Sequence, residues 1–341
     1  MYECDGQMSL FDIWGSDTPM MTIDKPIRLI EFFAGYGSQA MGLEELGAVF
    51  EHYRVVEFDK YAMASYNTVH GTDFEVTDIR DVKGSDLGIV DTDKYAYLLT
   101  YSFPCTDLSV AGKGLGMSKG SGTRSGLLWE VERILQELVD DGIDLPQVLL
   151  MENVPQVHGK KNMADFEDWC KFLESIGYTN FWEDMNAKHY GVAQNRNRTF
   201  MVSVLGNVKY EFPNPIPLTR VMKDYLEDEV EEKFYINNEK AQKLIATLID
   251  NGTLAQPQQG KIGYIEKGTG EHQTNQVFGK DGVSPCIDAC QYKQPYKVCV
   301  DLSANEPSKK NVSNCITARE DRGISNHKAE GNGVIEWKAE N

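Results

Sequence analysis

Four short clusters hold residues whose types and spacing can do chemistry. In Phe103-Pro104-Cys105-Thr106 a cysteine follows a proline that stiffens the turn, just beyond the apolar run Tyr95–Tyr101. A thiol in that place is a candidate nucleophile, although a lone cysteine is more often a buried core residue. Glu152-Asn153-Val154 ends a second apolar run and offers a carboxyl group for handling a proton or a charge. Gln194-Asn195-Arg196-Asn197-Arg198 sets two guanidiniums two residues apart, a spacing that lets both point the same way from an extended segment. Taken singly, each of these charges reads as a solvated loop residue. The fourth cluster, Gly35-Tyr36-Gly37-Ser38-Gln39-Ala40, fits G-x-G-x-x-G/A. Glycines there allow a tight turn and close approach of a ligand to backbone N–H donors at a helix start.

The elements that must hold these clusters follow from periodicity. Ile27–Phe33 is an apolar strand candidate that runs into the glycine turn, and Ala40, Met41, Leu43 and Leu46 follow at helical spacing. Val55-Val56 leads to Glu57, 22 residues after Gly35, a position suited to a carboxylate that accepts from ribose hydroxyls. A helix is expected near Tyr61–Val69, and Asp78-Ile79, near the end of an expected third strand, can read an adenine edge. These features point to a nucleoside-type cofactor without separating a dinucleotide from S-adenosyl-L-methionine. Strands at Tyr95–Tyr101, Gln147–Met151, Phe181–Met185 and Thr199–Leu205 alternate with helices at Leu127–Leu138 and Phe166–Leu173. The alternation predicts an α/β fold, a doubly wound, mostly parallel Rossmann-like sheet with helices on both faces. Between Cys105 and Leu127 the chain carries Gly112, Gly114, Gly116, Gly120, Gly122 and Gly126 with Lys113, Lys119 and Arg124, the composition of a mobile basic lid.

The character changes after Gly206. Pro213-Asn214-Pro215-Ile216-Pro217 marks a linker, so a boundary is expected near 206–217. Beyond it come an acidic stretch, a helix near Glu239–Asp250 and short β-type runs. Val283–Ala289 and Val312–Ala318 echo each other 29 residues apart, which suggests two similar β elements. The expected organisation is a 1–24 tail, a 25–206 catalytic domain, a smaller β-rich recognition region at 207–330 and a 331–341 end.

With 341 residues, 41% of them apolar, the chain can build a sizeable core, and wholesale disorder or a disulfide scaffold is excluded. No run of 18 apolar residues exists, so no membrane partner is expected. The seven cysteines are an odd number spread along the chain, which fits a reducing cytoplasm. The net charge of −18 argues against nucleic acid as a sum, but binding depends on where charge sits. Asp224, Glu227, Asp228, Glu229, Glu231 and Glu232 concentrate acid locally, whereas Asn186–Phe200 holds Lys188, Arg196 and Arg198 and no acid. No metal is expected: the six histidines show no H-x₃-H pattern, and Cys286-x₃-Cys290 lacks a second ligand pair.

Taken in order, FAGYG, PC, ENV and QNRNR resemble the DNA cytosine-5 methyltransferase family of bacterial or phage type over about residues 27–205. The resemblance implies S-adenosyl-L-methionine as methyl donor and a flipped cytosine in double-stranded DNA as acceptor. It implies Cys105 as the nucleophile at C6, Glu152 at N3 and Arg198 at O2, with Arg196 beside it. It implies Phe33, Ala34, Gly35 and Gly37 at the cofactor's amino-acid end, Glu57 on the ribose, Phe58 on the adenine face, and Asp78 with Ile79 at the adenine edge. Pro104 and Leu128 complete the implied cofactor contacts, and restriction–modification is the implied setting. Lys261, Lys267, Lys280, Lys293, Lys297, Lys309, Lys310, Arg319 and Arg322 are the candidate DNA contacts of the recognition region.

Some features depart from the family pattern. Thr106 stands where PCQ is usual, Ser38 replaces a common glycine, and Glu31 a common aspartate. The family's closing Glu-Cys segment has no counterpart, and Gly331-Asn332-Gly333-Val334 only echoes its last tetrad, so a shortened or split enzyme with a complementing C-terminal chain is expected. Gln7-Met8-Ser9-Leu10-Phe11 resembles a bacterial sliding-clamp-binding peptide. Three alternatives remain at this point: an RNA cytosine-5 methyltransferase, a catalytically silent DNA-binding subunit, and a nicotinamide-dependent oxidoreductase that would leave Cys105 and Glu152 unexplained.

Overall fold

A computed structural model describes residues 19–108, 115–226, 239–253, 257, 259–265, 276–286, 297–301 and 333–337. The clamp-like Gln7–Phe11, lid residues 109–114, most of the acidic stretch, Cys290, Lys267, Lys293, Lys309, Lys310, Arg319 and Arg322 lie outside that set. The described residues fall into two compact units. One comprises those of Met1–Met185 and Arg198–Pro213, the other those of Asn186–Asn197 and Asn214–Asn341. The chain thus crosses near the expected linker and also at 185/186 and 197/198, which sends Arg196 to the second unit and Arg198 to the first.

In the first unit, alternating side chains along the strands build two cores. Strand β1 (Ile27–Phe32) sends Ile30 and Phe32 to one face and Ile27 and Leu29 to the other. Strand β3 (Ala96–Tyr101) is buried at every position, as expected of a central strand covered on both sides. Helix α3 (Leu128–Asp140) fills the first face with Leu128, Val131, Ile134, Leu135 and Leu138. Helix α4 (Met163–Ser175) adds Phe166, Trp169 and Leu173 there, and the buried Trp169 indole donates to the Tyr101 hydroxyl at 3.1 Å. Ala40 and Leu43 of helix α1 (Ser38–Glu45) and the segment Val208–Phe212 cover the opposite face.

The six-stranded sheet has the order β2-β1-β3-β4-β6-β5, with β2 at Phe50–Val56, β4 at Val148–Asn153, β5 at Tyr178–Asn186 and β6 at Asn197–Leu205. Strands β2, β1, β3 and β4 run parallel, and β6 runs antiparallel to β4. The Rossmann-like, mostly parallel sheet expected from the sequence is therefore present. Its order reverses between β1 and β3, the switch point where open α/β sheets bind ligands at their carboxyl ends.

The expected third strand before Asp78 does not form. The Asn67 side chain, on helix α2 (Lys60–His70), instead takes the backbone groups of Phe74, accepting from its N–H at 3.0 Å and donating to its carbonyl at 2.9 Å. These bonds replace a strand ladder, and Asp78 then caps a 3₁₀ turn at Ile79–Asp81.

The second unit contains helix α5 (Glu239–Asp250) and a four-stranded sheet of order β10-β9-β8-β7. Its strands are β7 (Lys261–Tyr264), β8 (Gln276–Gly279), β9 (Lys297–Asp301) and β10 (Gly333–Trp337). Ala241 and Ile245 share a small core with Ile265 and Val277. Gly333-Val334, which echo a family helix in sequence, open a strand paired with β9. Among the described residues, no helix is long and apolar enough to cross a membrane.

Candidate active site

Strand register brings the sequence clusters to one edge of the sheet. Phe32 pairs with Val56 on one side and Tyr101 on the other, and Tyr101 pairs with Met151. The residues that follow these positions are the glycine turn after β1, Glu57 after β2, the Pro-Cys turn after β3 and Glu152 near the end of β4. Because β6 is antiparallel, its first residues lie at the same edge: Thr199 pairs with Asn153 and Phe200 with Glu152. Arg198 reaches back so that its Nε lies 2.9 Å from Glu152 Oε1. Both side chains are mostly buried, at 17% and 22% exposure, where an ion pair is screened less than at the surface.

The Pro-Cys turn is pinned on two sides. Buried Asn153 donates to the Phe103 carbonyl at 3.0 Å and accepts from Val154 N–H at 2.8 Å. Ser125 Oγ donates to the Pro104 carbonyl at 2.6 Å and accepts from Asp107 N–H at 3.3 Å. The Asp107 carboxylate in turn accepts from Arg124 N–H at 2.8 Å, at the start of the 3₁₀ turn that leads into α3. Both ends of the glycine-rich loop are thus tied beneath Cys105. Cys105 itself is half-buried and in no disulfide. The sequence reading missed Asp107 and Ser125 and the anchoring by Asn153. The available signal was a polar pair bracketing a glycine-rich loop.

At the glycine turn the backbone adopts left-handed geometry at Phe33 (φ 57°), Gly35 (φ 60°) and Gly37 (φ 83°). A side chain with φ above zero, as at Phe33, is strained and marks a place where surrounding structure imposes the conformation. A Cβ added at Gly35 would meet nothing within 4 Å, so open space faces that backbone. At Gly37 a Cβ would collide with His70 and approach Tyr66 Cε2 at 2.7 Å, so glycine is required there by packing as well as by conformation. The Glu57 carboxylate accepts from Gly35 N–H at 2.9 Å and Asp59 N–H at 2.7 Å, and so joins the turn to the end of β2. An ionised carboxylate has about four acceptor positions, so two such bonds leave capacity for ribose hydroxyls.

Phe58 is 69% exposed, an apolar ring open to stacking. Arg80 binds both Asp78 oxygens, and these hydrogen bonds hold that carboxyl below the usual carboxylate range. Ala34 is buried, and its N–H donates to Val56 O at 3.3 Å. The Ile79 and Leu128 side chains lie in the main core, 3% and 0% exposed, so neither is open to solvent. Arg196, in the second unit, lies 3.8 Å from Cys286 Sγ, and its carbonyl accepts from Ala187 N–H. The open Gly35 backbone, anchored Glu57 and exposed Phe58 fit a nucleoside carrying an amino-acid tail.

The sequence profile of the C-5 cytosine-specific DNA methylases matches residues 27–330. The chain is 34% identical over 260 residues to the type II methyltransferase M2.ScrFI of Lactococcus lactis subsp. cremoris, covering 62% of this chain and 71% of that protein. It is 44% identical over 175 residues to the orphan methyltransferase M.SssI of Spiroplasma monobiae, covering 51% and 43%. Among solved structures, Entamoeba histolytica methyltransferase EhMeth superposes with a TM-score of 0.55 at 16% identity, covering 88% of this chain and 82% of that one. S. pombe Dnmt2 methyltransferase gives 0.52 at 19%, covering 77% and 71%, and both likenesses speak to the fold alone. With the profile spanning most of its residues and the four site clusters gathered at one sheet edge, the chain belongs to the C-5 cytosine-specific DNA methylase family.

Proposed function

We propose that this chain methylates C5 of cytosine in double-stranded DNA, with S-adenosyl-L-methionine as donor. The carrying observation is the Arg198–Glu152 pair at 2.9 Å, one residue beyond the Tyr101–Met151 pairing that puts the cysteine-bearing turn beside it. Cys105 Sγ, as the thiolate, forms a bond to C6 of the target base, and the ring's electron density shifts toward C5. Glu152 holds a proton at N3 and so neutralises the charge that builds there, while Arg198 binds O2 and keeps Glu152 oriented. After methylation the C5 proton is lost to a base, the Sγ–C6 bond breaks and the thiolate leaves. When bound, S-adenosyl-L-methionine supplies an electrophilic methyl group. The Phe33–Gly37 turn and Glu57 would hold its amino-acid and ribose parts, with Phe58 and Asp78 at the adenine. A base inside a duplex cannot reach such a thiol, so the target must flip out, a step that a loop tied down at Asp107 and Ser125 is suited to cover.

The test is covalent trapping with a duplex that carries 5-fluorocytosine, whose fluorine cannot leave as the C5 proton does. The wild-type chain should give a denaturation-stable complex that requires S-adenosyl-L-methionine, and Cys105→Ser should give none. An equal yield from both proteins would overturn the assignment. A sliding clamp bound through Gln7–Phe11 is a finer partner of this reading. Titrating a labelled 1–20 peptide against the clamp tests it, and no measurable binding rejects it.

A further inference from the structure

Beside the glycine turn, the fold brings together three side chains that the reaction above does not use. Glu44 lies in the last turn of α1, His52 sits on β2 and His70 ends α2, at separations of 8 and 18 residues that form no recognisable metal motif. One ligand atom from each lies within 4.8 Å of the others. His70 Nδ1 is 3.2 Å from Glu44 Oε1, and His52 Nε2 is 4.0 Å from the same oxygen.

Hydrogen-bond partners show which ring nitrogens are left to face Glu44. His70 Nε2 lies 3.0 Å from the Tyr36 carbonyl, which can only accept, so Nε2 carries a proton. Tyr66 donates its single proton to the buried Glu31 carboxylate at 2.5 Å. His52 Nδ1 lies 2.6 Å from the same hydroxyl, on the side of the ring away from Glu44. Each imidazole thus has one nitrogen engaged by its own partner and turns the other toward Glu44, so that one ligand atom from each of the three residues converges on one point. A ring nitrogen opposite the ligating one, held by a carbonyl or a carboxylate-backed hydroxyl, is the usual outer support of a metal-bound histidine.

We propose that Glu44, His52 and His70 bind a divalent transition-metal ion of the zinc class, which ties α1, β2 and α2 together beside the Gly35–Gly37 turn. Two imidazoles and one carboxylate suit a borderline cation, and the set matches a three-ligand site with a fourth position for water. Tetrahedral zinc holds its N and O ligands about 3.3 Å apart, so the wider separations contract by roughly 1 Å on binding. The Glu44 side chain is 50% exposed and gives the ion a way in, whereas the His70 side chain is buried. With His70 bonded to the Tyr36 carbonyl, the ion would stiffen the turn that faces the cofactor. The competing arrangement, a His70 imidazolium paired with Glu44, needs no metal.

The experiment is a Co²⁺ titration of the full chain, stripped of metal, followed by visible absorption. One equivalent should saturate a tetrahedral ligand-field band with no thiolate charge-transfer band, and Zn²⁺, but not Mg²⁺, should displace it. Glu44→Gln should weaken binding about tenfold or more, while Glu45→Gln, an exposed neighbour, should leave it unchanged. Far-UV circular dichroism of each variant checks the fold. Absence of saturable binding, a thiolate band, or equal affinity in the two variants would overturn the proposal. None of these readouts depends on methylation.

Discussion

Two cysteines of one chain meet opposite fates. Burial pushes the Cys170 thiol up to about 12, so it stays protonated throughout the neutral range and is a poor nucleophile. Alkylation of the native protein at pH 8 should spare Cys170, and only denaturation should open it to reagent, as peptide mass mapping would read. Cys105 stands half-buried at the ligand-binding edge of the sheet, and Cys105→Ser should abolish methylation with cofactor affinity unchanged within about twofold, since the proposed role of the sulfur is toward the base and not the donor. Glu57 separates from it by chemistry. Glu57→Ala removes the acceptor for Gly35 and Asp59 N–H together with the proposed ribose contact. Hydrogen bonds to a charged group contribute about 1.5–3 kcal/mol, so S-adenosyl-L-methionine affinity measured by calorimetry should fall by about tenfold or more. A Glu57→Ala chain with wild-type affinity would remove Glu57 from the cofactor site.

At the scale of elements, reactive groups are held by the ends of their neighbours. The final residue of β4, Asn153, bonds the carbonyl of Phe103 in the turn that follows β3. Asn153→Ala leaves a buried carbonyl unpaired, which costs about 1–3 kcal/mol. The melting temperature should fall and kcat should drop with the loosened turn, while cofactor affinity should hold, because the glycine turn is built on β1 and β2. A cofactor defect equal to the kcat defect would show that the two turns are not independent. The junction of β1 and α1 is less forgiving. Gly37→Ala demands a left-handed alanine and displacement of His70, so soluble yield and melting temperature should both fall markedly. Should its stability match wild type, the packing of α2 against the turn would be wrong.

Over the whole molecule, acid prevails by 18 charges, yet the family acts on a polyanion. Phosphate contacts from a local cationic set release counterions whatever the overall sum, so the logarithm of the DNA affinity should decline linearly with the logarithm of salt concentration. Affinity that does not respond to salt between 50 and 200 mM, about the range over which such contacts are felt, would mean that the basic residues do not meet the backbone. The proposed site is drawn from distant sequence, since strand order rather than proximity in the chain pairs Arg198 with Glu152 and sets the strand that precedes the Cys105 turn next to β4. The nicotinamide-dependent alternative is set aside at this scale, because the match over 27–330 includes the thiol, carboxylate and arginine it could not explain.

The sequence by itself determined the alternation of strands and helices, the glycine turn, and the four clusters with their family. Those signals are local: side-chain periodicity and short motifs are written in neighbouring residues. The order β2-β1-β3-β4-β6-β5 and the antiparallel β6 were decided only by tertiary structure, since pairing depends on which buried faces meet. The same holds for Asp107 and Ser125, whose polar atoms meet across the base of a loop, and for the strand before Asp78, displaced by the side chain of Asn67. It holds most clearly for Glu44, His52 and His70, where the sequence reading expected no metal-ligand set. Their shared point in space exists because two helices and a strand fold against one another around Tyr66, and no spacing along the chain encodes that convergence.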